Sequence, residues 1–342
     1  MSRSEPGNCL TCGNGACSLR RDAPARGGRR AFILDECWPE FRDFLARERR
    51  GDDQILAPGL FGRAGPRRYD WGPGVEHRGT AAVLARHGAM RLVRDMPGAL
   101  RQPVYLRHDE AMGRALLRHL DYHADRLVID QRLLPVAWRA GVLGGRHYDV
   151  VMTRYPLAAL HGALDALATA NPGSRTLADF RAPADLVADE AAALAGAERI
   201  VTPHHGIADL FGPRAHRLDW VLPAPVSARR GDRVAFLGPA IGRAGLAVAR
   251  GFAARLRKPL IVFGPDLEGG GAWDGIPVER RAFGPGWLDG IGAIIHPAAM
   301  THQPRRLLQA IANGVRVHAT AGAGLAPGQW RPLADFDPVT AG

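Results

Sequence analysis

Two stretches of this 342-residue chain hold the residue types best able to do chemistry, and they lie at opposite ends of it. Cys9, Cys12, Cys17 and Cys37 are its only cysteines. The C-x2-C-x4-C spacing can gather three thiolates round one ion, with Cys37 as a fourth ligand. Zn2+ suits such a set in a reduced compartment; an iron–sulfur cluster also takes thiolates, although the spacing matches neither common ferredoxin pattern. Cys37 follows an apolar run at 31–34 and fits a packed core position equally well. Near the other end, residues 292–325 read GAIIHPAAMTHQPRRLLQAIANGVRVHATAGAGL. The free N–H groups of a helix starting after Pro304 would point into the loop at 297–304, and such a loop favours an anion such as a pyrophosphate.

The elements that must position this loop are legible. Ile294-Ile295 suits a buried parallel strand, while Leu307, Leu308 and Ile311 form one apolar helical face. Pro304 suits the first turn of that helix, Gly314 its C-terminal cap, and residues 315–317 a resumed strand. Upstream, RVAFLGP at 233–239 is an apolar strand ending in Gly238. A helix follows in which Val248, Phe252 and Leu256 share a face. PLIVFGPD from Pro259 repeats the strand-then-glycine pattern, with Gly264 allowing close backbone approach. Three strand ends therefore converge on one crevice. The same order of elements also occurs in parallel sheets that bind nothing.

In these residues the chain resembles the C-terminal domain of family 4 (group 1) glycosyltransferases. Pro297, Leu308, Ala310, Ala312, Gly314 and Val317 match the family's run. Its two glutamates are replaced, the first by Thr301 and the second by Gln309. The resemblance implies the GT-B architecture, two Rossmann-like doubly wound α/β domains facing a cleft. It implies a donor of UDP-sugar or GDP-sugar type, a glycan or lipid-linked acceptor, and transfer with retention of anomeric configuration. It also implies a donor site at Gly238, Arg243, Gly264, Thr301 and Gln309. In the family an Arg follows the first glycine, where this chain has Pro239, and Arg243 lies one position from the family's Lys. A guanidinium there can still give a phosphate two donors. Gln309 can bond a ribose diol, whereas Thr301 has neither the charge nor the reach of a carboxylate.

The N-terminal half alternates in the α/β manner, with strands expected at 31–34, 127–129, 148–152, 175–177 and 200–202 and helices at 39–49 and 184–197. Residues 51–79, rich in Gly, Pro and Arg, read as a loop excursion. The proline-bearing, polar stretch at 223–232 reads as a linker. This gives a cysteine-bearing arm at 1–28, an acceptor domain at 29–225 and a nucleotide-sugar domain at 226–342. In that architecture, polar residues at the N-terminal strand ends are the candidates for acceptor and leaving-group chemistry. Asp179 and His204 can take a proton from a hydroxyl, and Arg181 and Arg154 can neutralise a departing diphosphate. Asp and His at strand ends also commonly cap helices. No Asp-x-Asp metal motif stands in the cleft loops.

The net charge of +11 does not point to nucleic acid. Lys258 is the sole lysine, the arginines are dispersed, and no helix-turn-helix or RNA-binding signature is present. A basic surface can hold a protein near anionic headgroups, so peripheral association with the inner face of a membrane is compatible with the sequence. No apolar run reaches the roughly 18 residues of a spanning helix. The opening residues MSRSEPGNCLTC lack the apolar centre of a secretory signal, so the sequence predicts a cytoplasmic protein.

Overall fold

The apolar runs become parallel strands in two separate sheets. The computed structural model describes residues 29–338 except 66, 95, 97 and 180. Cys9, Cys12 and Cys17, and with them the arm expected to bind a metal, lie outside the described residues. The first sheet holds β1 (Arg29–Ile33), β2 (Gln54–Pro58), β3 (Glu76–Arg78), β4 (Ala124–Asp130), β5 (His147–Val151), β6 (Arg199–Thr202) and β7 (Ala215–Arg217), in the order β3-β2-β1-β4-β5-β6-β7. The second holds β8 (Arg233–Phe236), β9 (Leu260–Phe263), β10 (Val278–Arg281), β11 (Ile291–His296), β12 (Arg316–Ala319) and β13 (Arg331–Pro332), in the order β10-β9-β8-β11-β12-β13. Helices α1 (Pro39–Glu48), α2 (Thr80–Leu92), α3 (Gly98–Leu117), α4 (Leu134–Arg139), α5 (Leu157–Ala170), α6 (Ala184–Gly196) and α7 (His205–Phe211) accompany the first sheet. The second has α8 (Leu246–Ala253) and α9 (Arg305–Ala312).

This is the doubly wound pair of Rossmann-like sheets of the GT-B architecture. Strands in such sheets are covered on both faces, which is why their sequences run apolar without a break. In β1, Ala31 and Ile33 enter one core while Phe32, and Leu34 directly after the strand, enter the other. In β8, Ala235 faces one side and Val234 and Phe236 the opposite one. Full burial of one such large apolar side chain stabilises the fold by about 1.5–3 kcal/mol.

Three expectations are corrected. Residues 51–79 are not one loop, because β2 and β3 add two strands to the sheet there, with Leu56 paired to Ile33 and to Glu76. Residues 175–177 form a turn, not a strand. Its backbone and side chains are taken up by Glu268, which accepts from Ser174 Oγ at 2.6 Å, from Arg175 N at 2.8 Å and from Thr176 Oγ1. In α8 the buried face is Leu246, Ala249 and Ala253, and Val248 is 48% exposed. The helix begins only after a 3-10 turn at Gly242–Ala244, and Gly245 at φ +79° resets its phase. A Cβ on Gly245 would lie 2.4 Å from the Pro297 carbonyl, so this glycine also lets the start of α8 approach the loop after β11.

Several contacts join the halves. Arg305 of α9 forms a two-pronged ion pair with Glu40 of α1. Trp220 donates to the Gly324 carbonyl at 2.8 Å, and His205 N donates to the same oxygen at 3.1 Å.

Candidate functional site

Each sheet reverses its winding direction once, between β1 and β4 in the first and between β8 and β11 in the second. Crevices outside the carboxyl ends of strands at such switch points are the general ligand sites of open α/β sheets. At the first, β1 runs into Asp35 and Glu36, and β4 into Asp130, Gln131 and Arg132. The neighbouring β5 runs into Thr153 and Arg154. At the second, β8 leads to Gly238 and on to Arg243, and β11 leads to the loop bearing Thr301, His302 and Gln303. Both crevices open onto the same cavity of about 550 Å³, lined by Gln131, Arg132 and Arg154 from one half and by Arg243, His302 and Gln303 from the other.

A charge network frames the first switch point. Arg86 bonds Asp35 at 2.9 Å and Asp109 at 2.9 Å; Arg132 bonds Asp35 at 3.0 Å and Glu36 at 2.9 Å. Burial pushes the Asp35 carboxyl up, but the two guanidiniums outweigh it and hold the group below its ordinary value. Asp130 fares differently. Burial, and then the Asp35 charge, raise it to about 7, although its side chain accepts from Arg132 N at 2.8 Å. Arg154 makes no hydrogen bond or ion pair among the described residues. Burial and the Arg132 charge lower its pKa, against the pull of Asp109 and Asp130. His302 accepts from Tyr155 N on Nδ1 at 3.4 Å, which leaves its proton on Nε2. Burial, then Arg154 and Arg243, depress its pKa to about 3, so the ring is neutral.

Of the donor residues expected from sequence, Arg243 alone lines this cavity. Burial, then Arg101, lower its pKa, and Asp179 counters them. Gly238 and Gly264 do not line the cavity and pack close to each other: a Cβ on Gly264, whose φ is +83°, would meet the backbone of Pro239 at 3.1 Å and the Gly238 carbonyl at 3.4 Å. Thr301 is turned inward, its Oγ1 2.6 Å from His296 Nε2 and its N–H bonded to the Gly322 carbonyl at 2.9 Å. Gln309 donates to the Ala224 carbonyl at 3.2 Å in the segment between the sheets.

Asp179 accepts from Ala99 N at 3.1 Å in the first turn of α3, a cap across sequence. Arg181 bonds the carbonyls of His161 and Leu177 and pairs with Asp165 at 2.8 Å. His204 is 0% exposed. Its Nδ1 accepts from Ile207 N at 3.2 Å, capping α7, and its Nε2 donates to the Thr301 carbonyl at 2.9 Å. Both ring nitrogens are thus engaged, one of them across the two halves. Cys37 packs against an apolar cluster, and burial pushes its thiol up to about 11, which keeps it protonated. Among the described residues no group of three or more His, Cys, Asp or Glu could hold a metal ion.

Gln131, Arg132 and His302 did not stand out in the sequence. The signal for the first two was present: a polar triplet, Asp-Gln-Arg, directly after the buried run of β4.

No protein-family model matches the sequence, and no curated protein matches it. Among solved structures the chain is similar to WaaG, a glycosyltransferase involved in lipopolysaccharide biosynthesis, at 14% identity and TM-score 0.44, over 87% of this chain and 82% of that one. It is similar to AviGT4, a glycosyltransferase involved in avilamycin A biosynthesis, at 13% identity and TM-score 0.43, over 92% and 87%. It is also similar to Anabaena Alr3699/HepE, solved with UDP and glucose, at 13% identity and TM-score 0.42, over 87% and 82%. Among the described residues no helix is long and apolar enough to cross a membrane.

Proposed function

We propose that this protein is a glycosyltransferase that takes a sugar from a nucleoside-diphosphate donor and gives it to a hydroxyl bound beside the first sheet. The observation that carries this reading is the meeting of two switch points in one cavity, lined by Arg154 from the first half and by Arg243 from the second. In this reading the two guanidiniums and the Nε2–H of His302 receive the diphosphate. The bond from the anomeric carbon to the phosphate breaks, the leaving charge gathers against these donors, and the acceptor oxygen forms the new glycosidic bond while its proton passes to the departing diphosphate. The resemblance to family 4 carries the further proposal that configuration is retained, which the anomeric coupling of the product checks by NMR. Asp179 is then a positioning residue, holding the start of α3 beside Arg243, and His204 fixes the two halves against each other. The domains of this reading are 29–225 and 226–342.

Titration calorimetry with UDP and GDP is the test. One of them should bind, and Arg243→Ala should weaken it by about 1.5–3 kcal/mol, roughly ten- to hundredfold. Binding of neither nucleotide by the parent protein would sink the proposal.

A second reading, binding without turnover, is favoured by one observation. Thr301 and Gln309, at the places of the family's two donor glutamates, spend their side chains on His296 and on the Ala224 carbonyl. It predicts nucleotide binding with neither transfer nor hydrolysis of the sugar. For the arm at 1–28 we propose one structural Zn2+ held by Cys9, Cys12 and Cys17, with an iron–sulfur cluster as the alternative. Metal analysis of protein prepared under reducing, chelator-free conditions should find about one ion per chain, and its absence would remove the site.

A further inference from the structure

We propose a second anion site in this protein, a hollow for a doubly charged phosphate group at the far end of the second sheet from the cavity. Arg233 opens β8, and Asp289 and Gly290 directly precede β11, so the hollow lies at the amino ends of these strands. The cavity lies at their carboxyl ends and shares no residue with it. Four arginines line the hollow, Arg229, Arg230, Arg233 and Arg281, against one carboxylate, that of Asp289.

The backbone round it is fixed by short bonds. Gly290 N donates to the Arg229 carbonyl at 2.9 Å, Arg233 N to the Gly290 carbonyl at 3.0 Å, and Arg229 N to Asp289 Oδ1 at 2.8 Å. A Cβ on Gly231 would lie 2.3 Å from the Gly290 carbonyl, so a glycine there lets the two segments close on each other. Two of the guanidiniums are held by one carboxylate outside the lining: Glu279 pairs with Arg233 at 2.7 Å and with Arg281 at 2.6 Å. Arg281 Nη1 also donates to the Asp289 carbonyl at 2.7 Å, and Arg233 Nη2 to the Pro259 carbonyl at 2.8 Å. Arg281 Nη2 and Arg233 Nη1 keep their protons for another acceptor. Arg229 and Arg230 are exposed, and their side chains make no hydrogen bond or ion pair among the described residues.

This set of donors selects its ligand. A carboxylate has two oxygens and fills one guanidinium fork, whereas a terminal phosphate has three oxygens and a second charge and can take several forks at once. The volume of about 680 Å³ is more than a phosphate needs, so the body that carries it fits beside it. A free diphosphate or phosphate ester and the headgroup of phosphatidic acid share this chemistry.

Titration calorimetry of the full chain with inorganic pyrophosphate and with acetate tests the site, together with sedimentation on phosphatidylcholine vesicles made with and without phosphatidic acid. Pyrophosphate should bind and acetate should not. The double variant Arg229→Gln, Arg230→Gln should fold, because both side chains are exposed and uncommitted, which a thermal melt checks. It should weaken pyrophosphate about tenfold or more, whereas Arg229→Lys, Arg230→Lys keeps the charge without the forks and should recover part of that loss. A further equivalent that Arg243→Ala removes and the double Gln variant retains belongs to the cavity, so the transferase reading and this site can fail separately. Loss of pyrophosphate binding in the double Gln variant assigns a free phosphate. Loss of capture on phosphatidic acid vesicles alone upholds the site and assigns a headgroup. Binding of neither probe by the parent protein, or equal binding by the double Gln variant, overturns the proposal.

Discussion

Replacing Arg305 by Ala should be among the most damaging single changes outside the cavity. Glu40 lies in α1 with its side chain 0% exposed, while that of Arg305 in α9 is 25% exposed. The guanidinium bonds Glu40 Oε1 at 2.8 Å and also Oε2, and its carbon sits 5.0 Å from the Trp38 ring centre and 5.5 Å from that of Trp220. Removing one partner of a buried pair costs about 3–5 kcal/mol, because the other charge stays behind without compensation. Two observations place this case near the lower end. Val221 N still donates to Glu40 Oε1 at 2.7 Å, and the exposed edge of Arg305 admits water once the side chain is cut back. Loss of two cation–π contacts adds about 0.5–1 kcal/mol each. The expected sum is about 4 kcal/mol, read by urea denaturation with tryptophan fluorescence. The double variant Glu40→Gln, Arg305→Met has no stranded charge and should recover about 2 kcal/mol of that loss. A single-variant loss under about 1 kcal/mol, or a double variant no better than the single, would refute the argument that this pair locks the halves together.

Acid should destabilise the protein before its ordinary carboxylates titrate. Burial depresses His204 and His296 to about 4 and His302 to about 3. A depressed folded pKa gives stability that is present above the unfolded value near 6.5 and is lost as pH falls through 6.5 toward 4. At about 1.4 kcal/mol per pH unit the bound is about 3 kcal/mol each for His204 and His296 and about 5 kcal/mol for His302. Asp130, raised to about 7, works in the opposite sense, since its contribution is present at low pH and lost on alkalinisation through 7. Asp109 and Glu190, also raised by burial, act with Asp130, and His161, His205 and His318, also lowered by burial, act with the other three rings. The histidines outnumber the carboxylates, so the urea midpoint should fall between pH 6.5 and 4.5; a flat profile counts against the buried neutral rings. Arg154→Gln should raise the melting temperature of the ligand-free protein and weaken nucleotide binding about tenfold or more. A parallel loss of both, in melts with and without UDP, would mean that Arg154 serves the fold and not the ligand.

What the sequence discloses and what it conceals divide along physical lines. The unit from β11 through α9 to β12 was readable because its signals are local: an apolar doublet, a proline at the helix start and a glycine after its end. β2 was hidden because its five residues sit among glycines and prolines. β3, Glu-His-Arg at the sheet edge, has no apolar pattern at all. Propensity marked both as loop, and pairing of β2 to β1 and of β3 to β2 overrode it. Arg243, which lines the cavity, stands out in the sequence because a glycine-bearing turn announces it. His302, Gln131 and Arg132 become site residues only when the two sheets dock and bring their switch points together, which no local pattern encodes. Asp179 and His204 show the opposite case. Their types suggested proton transfer, yet their neighbours in space are orphan backbone N–H groups at helix starts, and these claim the acceptor atoms first.

The distribution of charge at the first switch point explains how a site can be left wanting a ligand without unravelling the fold. Asp35, Glu36, Asp109, Arg86 and Arg132 close on one another through four short ion pairs, and Arg68 adds a third guanidinium 3.6 Å from Glu36, so three carboxylates face three cations around β1 and β4. Two charges fall outside that closure. Asp130 resolves its position by holding its proton near neutral pH. Arg154 has no such outlet, because a guanidinium does not give up its proton in this range. Its cation, without a hydrogen bond or ion pair among the described residues, is therefore a cost the empty protein bears, and on the proposed reading an entering anion would relieve it. Binding energy is then concentrated at the junction of the two halves, where transfer would have to occur, while the surrounding network keeps Arg154 aimed there whether or not a ligand is present.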